Sequence, residues 1–267
     1  MILVKIGGSV FSDKAGEPEN FDTETVRRIA GEIAEFYPNE EFIVVHGGGG
    51  SFGHYHASEH AIRDGLPGEW ESDRRKKIGF SLTHQSMLRA NARFIEVFLS
   101  QNLPAFSVST SSIFLTERGG EIVYADIEVI ERLLELDFIP PILFGDVSVD
   151  VAQGVDILSG DQIMAYLTKM LKPKKAIFLM DVDGIYDGKP GEGTLIPELA
   201  REEVPGLLER LHCTAAGTDV TGGICNKLRK AYEMAHYSEV WFVNGKVPPG
   251  RLSGAIRGGD GFGTRLR

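Results

Sequence analysis

The amino-acid sequence predicts an α/β protein with a mostly parallel central sheet that is covered by helices. Two patterns support this prediction. Short apolar runs rich in β-branched residues alternate along the chain with segments that carry apolar residues at helical spacing. Several of these runs also end directly in glycines. Because ligands of such sheets bind at the carboxyl ends of the strands, the glycine-rich loops mark the predicted site.

The first βαβ unit lies at the start of the chain. The run ILVKI at residues 2–6 predicts a buried strand, and FIVVH at 42–46 predicts a second one. Between them, residues 22–36 carry apolar side chains at helical spacing, with Asp22 as the N-cap. Strand, helix and strand joined by short connections form a right-handed unit with parallel strands.

The rest of the chain continues the alternation. Further helices are predicted at residues 73–101, 128–136, 161–171, 204–211 and 224–236. Further strands are predicted at 104–109, at ILF after Pro140-Pro141, at the start of 176–187, at 239–243 and at 264–266. Gly119-Gly120 predicts a hairpin over 113–125, which favours a mixed sheet. A second block of the chain begins near residue 150, without a clear linker.

Composition excludes several classes of protein. At 267 residues the chain is long enough for one large or two modest domains. With 28 Lys and Arg against 38 Asp and Glu, its net charge of −10 argues against sequence-independent nucleic-acid binding. No apolar run approaches the ~18–20 residues of a membrane span, and the N-terminus lacks the features of a signal peptide. We therefore expect a cytoplasmic protein with no nucleic-acid or membrane partner.

The glycine and cysteine content further limits the kinds of protein that this sequence can encode. Glycine accounts for 32 of the 267 residues, about 12% against roughly 7% in average chains, which favours an enzyme rich in glycine loops. The two cysteines, Cys213 and Cys225, are too few for a disulfide framework or a four-cysteine zinc site. We expect both to be small buried hydrophobic residues.

Four consecutive glycines, Gly47 to Gly50, follow the second strand. Such a run lets backbone N–H groups converge on an anion, and the next helix points its positive end toward it. The spacing of Gly48, Gly50 and Gly53 formally matches a dinucleotide fingerprint, but ESDRRKK stands about where its ribose-binding acid should be. A flexible turn is the structural alternative. The sequence therefore favours an anion-binding loop over a dinucleotide site.

Two lysines near the N-terminus are candidates for phosphate contacts. Lys5 lies in an otherwise apolar strand just before Gly7-Gly8-Ser9, and a buried lysine is costly unless it is paired or faces a ligand. Lys14 follows within a few residues and can lie over the same opening. Taken alone, Lys14 would more often be a solvated surface charge.

Two motifs in the second half point to a nucleotide. Residues 181–187 form an acidic, glycine-containing loop after a strand, and their spacing does not fit a calcium loop. We interpret this loop as a nucleotide-binding strand end, with Tyr186 near a base or ribose. Residues 218–224 open the helix that carries Lys227. Their Thr and Asp favour an N-cap, and the added Gly222-Gly223 also suits a phosphate clamp.

Three histidines follow the glycine loop. His56 and His60 share a helix face, but they lack cysteine or carboxylate partners at metal-ligand spacing. We interpret these two as surface or loop residues rather than zinc ligands. His54 differs because it follows the glycine loop directly and can donate a hydrogen bond to an anion there.

Four segments, in chain order, resemble the amino acid kinase superfamily: ILVKIGGSV, VVHGGGGSFG, FLMDVDGIYD and DVTGGICNKL. With SGDQIMA at residues 159–165 and the final GTRL, the resemblance spans the whole chain. Within the superfamily, the histidine of SFGH, the lysine of SVFSDK and the LPG and FGDV segments resemble the isopentenyl phosphate kinases. One departure is the fourth glycine of HGGGGSFGH, where three are expected, which leaves the register of the loop's phosphate contacts open by one residue.

The resemblance implies a fold, a reaction and an assembly. The implied fold is an open αβα sandwich around one continuous sheet, with residues 1–150 as the acceptor-binding lobe and 151–267 as the nucleotide-binding lobe. The implied reaction is ATP-dependent phosphorylation of isopentenyl phosphate to isopentenyl diphosphate by direct in-line transfer, with Mg²⁺ accompanying ATP. The implied assembly is a homodimer built from the N-terminal lobes.

The family pattern also implies residue roles. Lys5 and Lys227 would hold the β- and γ-phosphates, and Lys14 would stabilise the transferring phosphoryl group. The implied catalytic set, without a protein-held metal, is Lys5, Lys14, His54, Asp161 and Lys227, with Asp161 orienting the lysines. The implied ATP-binding set is Lys5, Gly7, Gly8, Ser9, Gly49, Asp181, Asp183, Tyr186, Gly222, Gly223 and Lys227. The implied acceptor-binding set is Gly48, Gly49, Gly50, His54, Phe80, Thr83 and Gly154.

A prenyl tail on the acceptor would require an apolar slot. Phe80, Thr83 and Met87 fall at i, i+3 and i+7 of the long helix that follows the glycine loop. Core packing explains this spacing equally well.

Three alternative functions stay open on the sequence. The nearest is another kinase of the superfamily that acts on a phosphonate, a carboxylate or UMP. The second is a nucleotide-binding regulatory protein that has lost its chemistry, although the presence of Lys5, Lys14, Asp161 and Lys227 together argues against it. A dinucleotide-dependent oxidoreductase is the most distant.

Overall fold

The computed structural model describes residues 1–13, 17–47, 50–66, 68–136, 141–213 and 223–267. The helices are α1 Gly8–Phe11, α2 Thr23–Ala34, α3 Gly53–Glu59, α4 Trp70–Ser100, α5 Thr110–Ile113, α6 Glu128–Glu135, α7 Gly160–Leu171, α8 Val204–Arg210, α9 Ile224–Met234 and α10 Arg251–Arg257. The strands are β1 Ile2–Ile6, β2 Phe42–His46, β3 Phe106–Ser107, β4 Phe114–Glu117, β5 Glu121–Ala125, β6 Pro141–Phe144, β7 Asp146–Asp150, β8 Gly154–Leu158, β9 Lys175–Met180, β10 Glu198–Leu199, β11 Glu239–Asn244 and β12 Thr264–Leu266. Each predicted helix and strand has a counterpart here, although the strand expected at 104–109 shortens to two residues.

The central sheet has eight strands in the order β10-β12-β11-β9-β1-β2-β6-β3. Neighbouring strands run parallel except for β11 and β12. Strand β1 lies between β2 and β9, and all five of its residues are buried. Both faces of a parallel sheet are normally covered, which explains why its central strands are almost continuous hydrophobic runs. The predicted α/β class and mostly parallel sheet are confirmed.

Helices cover both faces of the central sheet, so the architecture is the expected αβα sandwich. Alternate residues of β1 point to opposite faces. Val4 packs in the core that includes Phe94 of α4, and Leu3 packs in the core that includes Leu167 of α7. Lys5 lies two residues after Leu3 and therefore points to the α7 face. This alternation brings the charged residue of β1 to the layer in which α7 begins.

A second sheet of four strands, in the order β5-β4-β7-β8, corrects the expectation of one continuous sheet. The predicted hairpin is present as β4 and β5, but it belongs to this sheet, and the antiparallel strand of the central sheet is β12. The hairpin of β7 and β8 was not predicted. Its turn is closed by Asp150, whose Oδ1 accepts the backbone N–H groups of Ala152 and Gln153 at 3.0 and 2.9 Å. Residue 150, the expected boundary between lobes, therefore lies within a hairpin.

The cysteines form a disulfide between Cys213 and Cys225, which corrects the expectation of two separate buried residues. Cys213 follows α8, and Cys225 lies in the first turn of α9. Two cysteines that are twelve positions apart give no signal of pairing in the sequence, whereas the packing of α8 on α9 brings their Cα atoms to 5.6 Å.

In the part of the chain that the structure describes, no helix combines the length and the apolar character needed to cross a membrane.

Candidate active site

A cavity of about 1600 Å³ opens at the carboxyl ends of the central strands. Its walls include the loops after β1, β2 and β9 and the first turns of α3, α7 and α9. The predicted site residues that line it are Lys5, Gly7, Gly8, Ser9, Gly50, His54, Thr83, Asp161, Asp181, Tyr186, Gly223 and Lys227. The structure therefore brings most of the described candidates into one cavity, at the edge where α/β sheets bind ligands.

Asp161 joins two lysines that lie far apart in the sequence. Its carboxylate accepts a hydrogen bond from Lys5 Nζ. Lys227 Nζ lies 3.1 Å from Oδ1 and 3.2 Å from Oδ2 of the same carboxylate. The side chains of Lys5, Lys227 and Asp161 are only 8%, 16% and 18% exposed. One largely buried carboxylate thus holds two ammonium groups side by side in the cavity.

The start of α7 fixes the position of Asp161. Ser159 and Gln162 form a capping box, in which each side chain bonds to the backbone N–H of the other residue. Asp161 lies in the turn that this box orders. Gly160 leaves room for the lysine, because a Cβ atom at this position would lie 2.9 Å from Lys5 Cε.

Burial and charge determine the protonation states of this cluster. Burial lowers the pKa of Lys5 to about 8; the charge of Asp161 opposes the shift and that of Lys227 adds to it. Burial also disfavours ionisation of Asp161, but the charges of Lys227 and Lys5 outweigh it and hold the pKa of Asp161 well below its usual range. At neutral pH the carboxylate is therefore ionised and Lys5 is mostly charged.

The backbones of the loops after β1 and β2 meet at the cavity wall. The N–H of Gly47 donates to Ile6 O at 2.8 Å, and a Cβ atom at Gly47 would lie 2.9 Å from the backbone nitrogen of Gly8. The loops are also joined by Ser51, whose N–H donates to Ser12 Oγ at 2.8 Å. Glycine is therefore required where the two loops touch, whether or not they bind an anion.

His54, Thr83 and Met87 contribute further to the cavity wall. His54 is exposed in the first turn of α3, whereas Thr83 and Met87 are buried on α4. Phe80 is not a lining residue. Phe80, Thr83 and Met87 share a helix face, as the spacing predicts. Phe80, however, lies nearer the start of the helix, where that face packs in a cluster with Ile62 and Val147.

The loop after β9 contributes several residues to the cavity. Asp181 and Tyr186 line it, but Asp183 does not. The Asp183 carboxylate instead accepts a hydrogen bond from Asn244 Nδ2 at 3.0 Å and lies 3.4 Å from Arg251 Nη2. The described partners of Asp183 are thus Asn244 and Arg251, and its predicted contact with the nucleotide stays a prediction.

Gly154 also lies away from the cavity. It opens β8 with a φ of +85°, and a Cβ atom there would lie 2.8 Å from Leu66 Cδ1. Its glycine is explained by the hairpin turn and by close packing rather than by ligand binding. Four other candidates, Lys14, Gly48, Gly49 and Gly222, lie outside the described residues.

His46 directly precedes the glycine loop, and no role was predicted for it. Its ring is fully buried and stacks on Phe94 and Phe144, with centroid distances of 4.3 and 5.3 Å. Its Nε2 atom lies 3.2 Å from Asn91 Oδ1. Burial lowers the pKa of His46 to about 4, so the ring is neutral. A histidine at the end of an apolar strand was the available signal.

The pairing of Asp146, a residue of the cavity wall, with His84 was also missed. Asp146 has a buried carboxylate that accepts hydrogen bonds from His84 Nδ1 at 2.6 Å and from the N–H of Val147 at 2.8 Å. The hydrogen bond to Asp146 raises the pKa of His84. His84 and Asp146 are 62 positions apart, and the FGDV segment that contains Asp146 was the only signal in the sequence. Among the described residues, no group of three or more His, Cys, Asp or Glu side chains is arranged to hold a metal ion.

The Amino acid kinase family model matches residues 1–244. The chain belongs to the amino acid kinase family. It is 34% identical to the isopentenyl phosphate kinase of Methanothermobacter thermautotrophicus, over 100% of this chain and 98% of that protein. It is 32% identical to the enzyme of the same name from Thermoplasma acidophilum, over 93% of each.

Solved structures show the same likeness. One isopentenyl phosphate kinase structure superposes with a TM-score of 0.84 at 30% identity, over 99% of both chains. The product complex of the T. acidophilum isopentenyl phosphate kinase superposes with a TM-score of 0.79 at 28% identity, over 100% of both chains. The likeness thus extends over almost the whole chain.

Proposed function

We propose that this chain is an isopentenyl phosphate kinase, which transfers the γ-phosphoryl group of ATP to isopentenyl phosphate and forms isopentenyl diphosphate and ADP. The observation that carries the proposal is the pair of largely buried lysines on Asp161, in a strand-end cavity large enough for two substrates. The full-length likeness to isopentenyl phosphate kinases supports the choice of acceptor.

The reaction forms one bond and breaks one. A terminal oxygen of isopentenyl phosphate attacks the γ-phosphorus of ATP in line with the oxygen that bridges to the β-phosphorus. The bond to that bridging oxygen breaks, and its electron pair leaves with ADP. Because a phosphate monoester has its second pKa near 6, the attacking oxygen is already ionised at neutral pH and no strong base is required. The obstacle is the repulsion between two polyanions as charge spreads over the transferring group.

The lysine pair addresses this repulsion on the nucleotide side. We assign contacts with the β- and γ-phosphates to Lys5 and Lys227, whose ammonium groups Asp161 holds in place before ATP arrives. Charges that are fixed in a partly dry cavity stabilise a transition state without reorganising during the reaction. We assign stabilisation of the transferring phosphoryl group to Lys14, on the resemblance to the family.

The acceptor side combines an imidazole, backbone amides and apolar surface. We assign the acceptor's phosphate to His54 and to the amides of residues 48–50. Thr83 and Met87 are the described lining residues of α4 available to contact the prenyl tail. Burying five carbons at ~0.8 kcal/mol each would favour a prenyl tail over a polar one by roughly 4 kcal/mol.

We propose that Mg²⁺ enters with ATP as part of the nucleotide substrate. Phosphate oxygens and water are the usual ligands of such an ion. The Asp161 carboxylate is engaged by two ammonium groups, which makes it a partner of lysines rather than a metal ligand.

We propose that the two lobes bind different substrates and that the chain forms a homodimer. Residues 1–150 would bind the acceptor and 151–267 the nucleotide, in a cytoplasmic homodimer formed by N-terminal lobes. An apolar row on the second sheet supports the dimer: Leu115 pairs with Tyr124 on one side and Val149 on the other, and Tyr124 and Val149 are exposed. Light scattering on the protein as it elutes from a size-exclusion column should give twice the mass of one chain. The mass of a monomer would contradict the proposed dimer.

An acceptor panel tests the function. The purified chain is incubated with ATP, Mg²⁺ and either isopentenyl phosphate, UMP, glutamate, acetylglutamate or a phosphonate, and ADP release and phosphorylated product are followed by ³¹P NMR. We expect isopentenyl phosphate to give the highest kcat/KM, with isopentenyl diphosphate as product. A higher value for another acceptor would overturn the proposal, and ATP binding without turnover on any acceptor would favour a regulatory protein.

Paired variants test the residue assignments. Lys14→Ala should lower kcat by ~10²–10³, whereas Lys174→Ala, which removes an exposed lysine paired with Glu40, should not change it. His54→Ala should raise KM for isopentenyl phosphate more than KM for ATP, and His54→Gln should retain part of the activity through its remaining donor. Activity of Lys14→Ala within twofold of wild type would remove Lys14 from the mechanism.

A further inference from the structure

Asp183 is not among the residues that line the cavity, although its neighbours Asp181, Val182, Gly184 and Tyr186 all are. Its Oδ1 atom accepts the hydrogen bond from Asn244 Nδ2 at 3.0 Å and lies 3.4 Å from Arg251 Nη2. The loop after β9 is therefore tied, at its middle residue, to the ends of two other elements: the last residue of β11 and the first residue of α10.

Asn244 uses both ends of its amide. While its Nδ2 group donates to Asp183, its Oδ1 atom accepts the backbone N–H groups of Lys246 and Val247 at 2.8 and 3.1 Å. The side chain is only partly accessible, with 7% of the residue exposed. An asparagine suits this position because it supplies a donor and an acceptor in a fixed geometry. Alanine would remove both connections.

The turn after Asn244 is itself anchored. The N–H of Gly245 donates to Met180 O at 2.7 Å, directly before Asp181. Arg28 of α2 donates to the carbonyl oxygens of Gly245 and Lys246 and pairs with Glu32 at 3.0 Å. Asp183 is therefore connected through Asn244 to a turn that helix α2 holds in place.

We propose that Asp183 is a positioning residue for nucleotide binding, which holds the loop of residues 181–186 against Asn244 and Arg251 so that its neighbours face the nucleotide. The inference rests on the proposed function in that ATP is the ligand of this loop. Without the anchor, ATP must order the loop as it binds, which weakens affinity. The chemical step is spared, because Lys5, Asp161 and Lys227 are not part of the network.

Four variants test the anchor: Asp183→Ala, Asp183→Asn, Asn244→Ala and the double variant of Asp183→Ala with Asn244→Ala. Glu198→Ala is the matched control, because it removes a carboxylate paired with Arg267 at 2.8 Å on edge strand β10. The dissociation constant for ATP is measured by calorimetry without acceptor, and kcat and both KM values by ADP release. Circular dichroism checks that each variant is folded.

Asp183→Ala and Asn244→Ala should each weaken ATP binding by about 10- to 150-fold, the range expected for loss of a charge-assisted hydrogen bond. The double variant should bind ATP no more weakly than the single variant with the lower affinity, because the two residues act through one contact. Asp183→Asn keeps an oxygen for the Asn244 donor and should stay within about threefold of wild type. KM for isopentenyl phosphate and kcat should change less than threefold.

Other outcomes overturn the inference in distinct ways. Equal ATP affinity in wild type and all variants would show that the anchor does nothing. Weak binding by both Asp183 variants with normal binding by Asn244→Ala would show that the Asp183 carboxylate contacts the nucleotide directly. If Asp183→Ala does not fold, Asn244→Ala and Asp183→Asn still distinguish these cases. A wild-type chain that does not bind ATP at all would instead overturn the proposed function.

Discussion

The pKa of Lys5 predicts that kcat/KM for ATP falls as the pH rises through about 8. Burial lowers this pKa to about 8, so the ammonium group that we assign to ATP phosphates loses its proton as the pH rises through 8. With that pKa, about nine-tenths of the free enzyme carries the charge at pH 7 and about one-tenth at pH 9. An ordinary lysine, with a pKa near 10.4, would stay almost fully charged over the same range.

The measurement is kcat/KM for ATP between pH 7 and 9.5, because this quantity reports the ionisation of the free enzyme. We expect it to fall about tenfold from pH 7 to pH 9. The decrease in kcat should occur at higher pH than the decrease in kcat/KM, because bound phosphates favour the charged form of Lys5. Substrate ionisation interferes little, since phosphate groups with a pKa near 6 are already about nine-tenths ionised at pH 7 and more so at higher pH.

Lys5→Arg is the matched variant for this experiment. Arginine stays charged at every accessible pH, so the limb near pH 8 should disappear even if the larger guanidinium lowers activity overall. Circular dichroism across the same range confirms that the fold is intact. A flat kcat/KM profile up to pH 9.5 in wild type, or an identical limb in Lys5→Arg, would refute the assignment of that limb to Lys5.

Asp161→Asn should lower kcat/KM for ATP by ~10²-fold or more, since it removes the anion that holds the lysine pair, and a loss below threefold would contradict that role. Asn20→Ala should lower kcat more than it raises either KM, because the Asn20 side chain bonds to Asp13 and Glu17 on either side of Lys14; unchanged kcat in steady-state assays would refute this. Reduction of the disulfide should lower the melting temperature by an amount equivalent to ~2–4 kcal/mol, measured by calorimetry with and without a dithiol. Equal melting temperatures would contradict it.

Much of the fold follows from patterns of local sequence. Lys5 in a strand of aliphatic residues, with glycines directly after it, predicted both the buried strand and a ligand at its end. The period of apolar residues located the helices, and Asp22 was correctly predicted as an N-cap because its carboxylate accepts the N–H of Thr25. These signals are local. Burial leaves few choices of residue in the strand and on the inner helix faces, and an exposed N-cap requires a side chain that accepts a backbone N–H.

What could not be predicted depends on contacts between distant residues. Lys5 and Asp161 are 156 positions apart, and only the resemblance to a family connected them before the structure did. The second sheet was missed because pairing of β4 with β7 leaves no mark in either strand alone. Asp183 shows the converse limit: an acidic residue after a strand suggests a ligand contact, but the side chain faces Asn244.

The net charge of the chain would oppose the binding of two polyanions only if the charge were uniformly distributed. Among the described lining residues of the cavity, eight are Lys or Arg and five are Asp or Glu, an excess of three positive charges in a chain of net charge −10. Screening at physiological ionic strength acts over ≈ 8 Å, so a small substrate inside the cavity responds mainly to that local excess. An extended polyanion such as DNA would instead contact the outer surface, where the remaining charge is negative. Raising the salt concentration from low values should therefore weaken ATP binding only slightly: the distant repulsion is screened first, and the partly buried attraction is screened less.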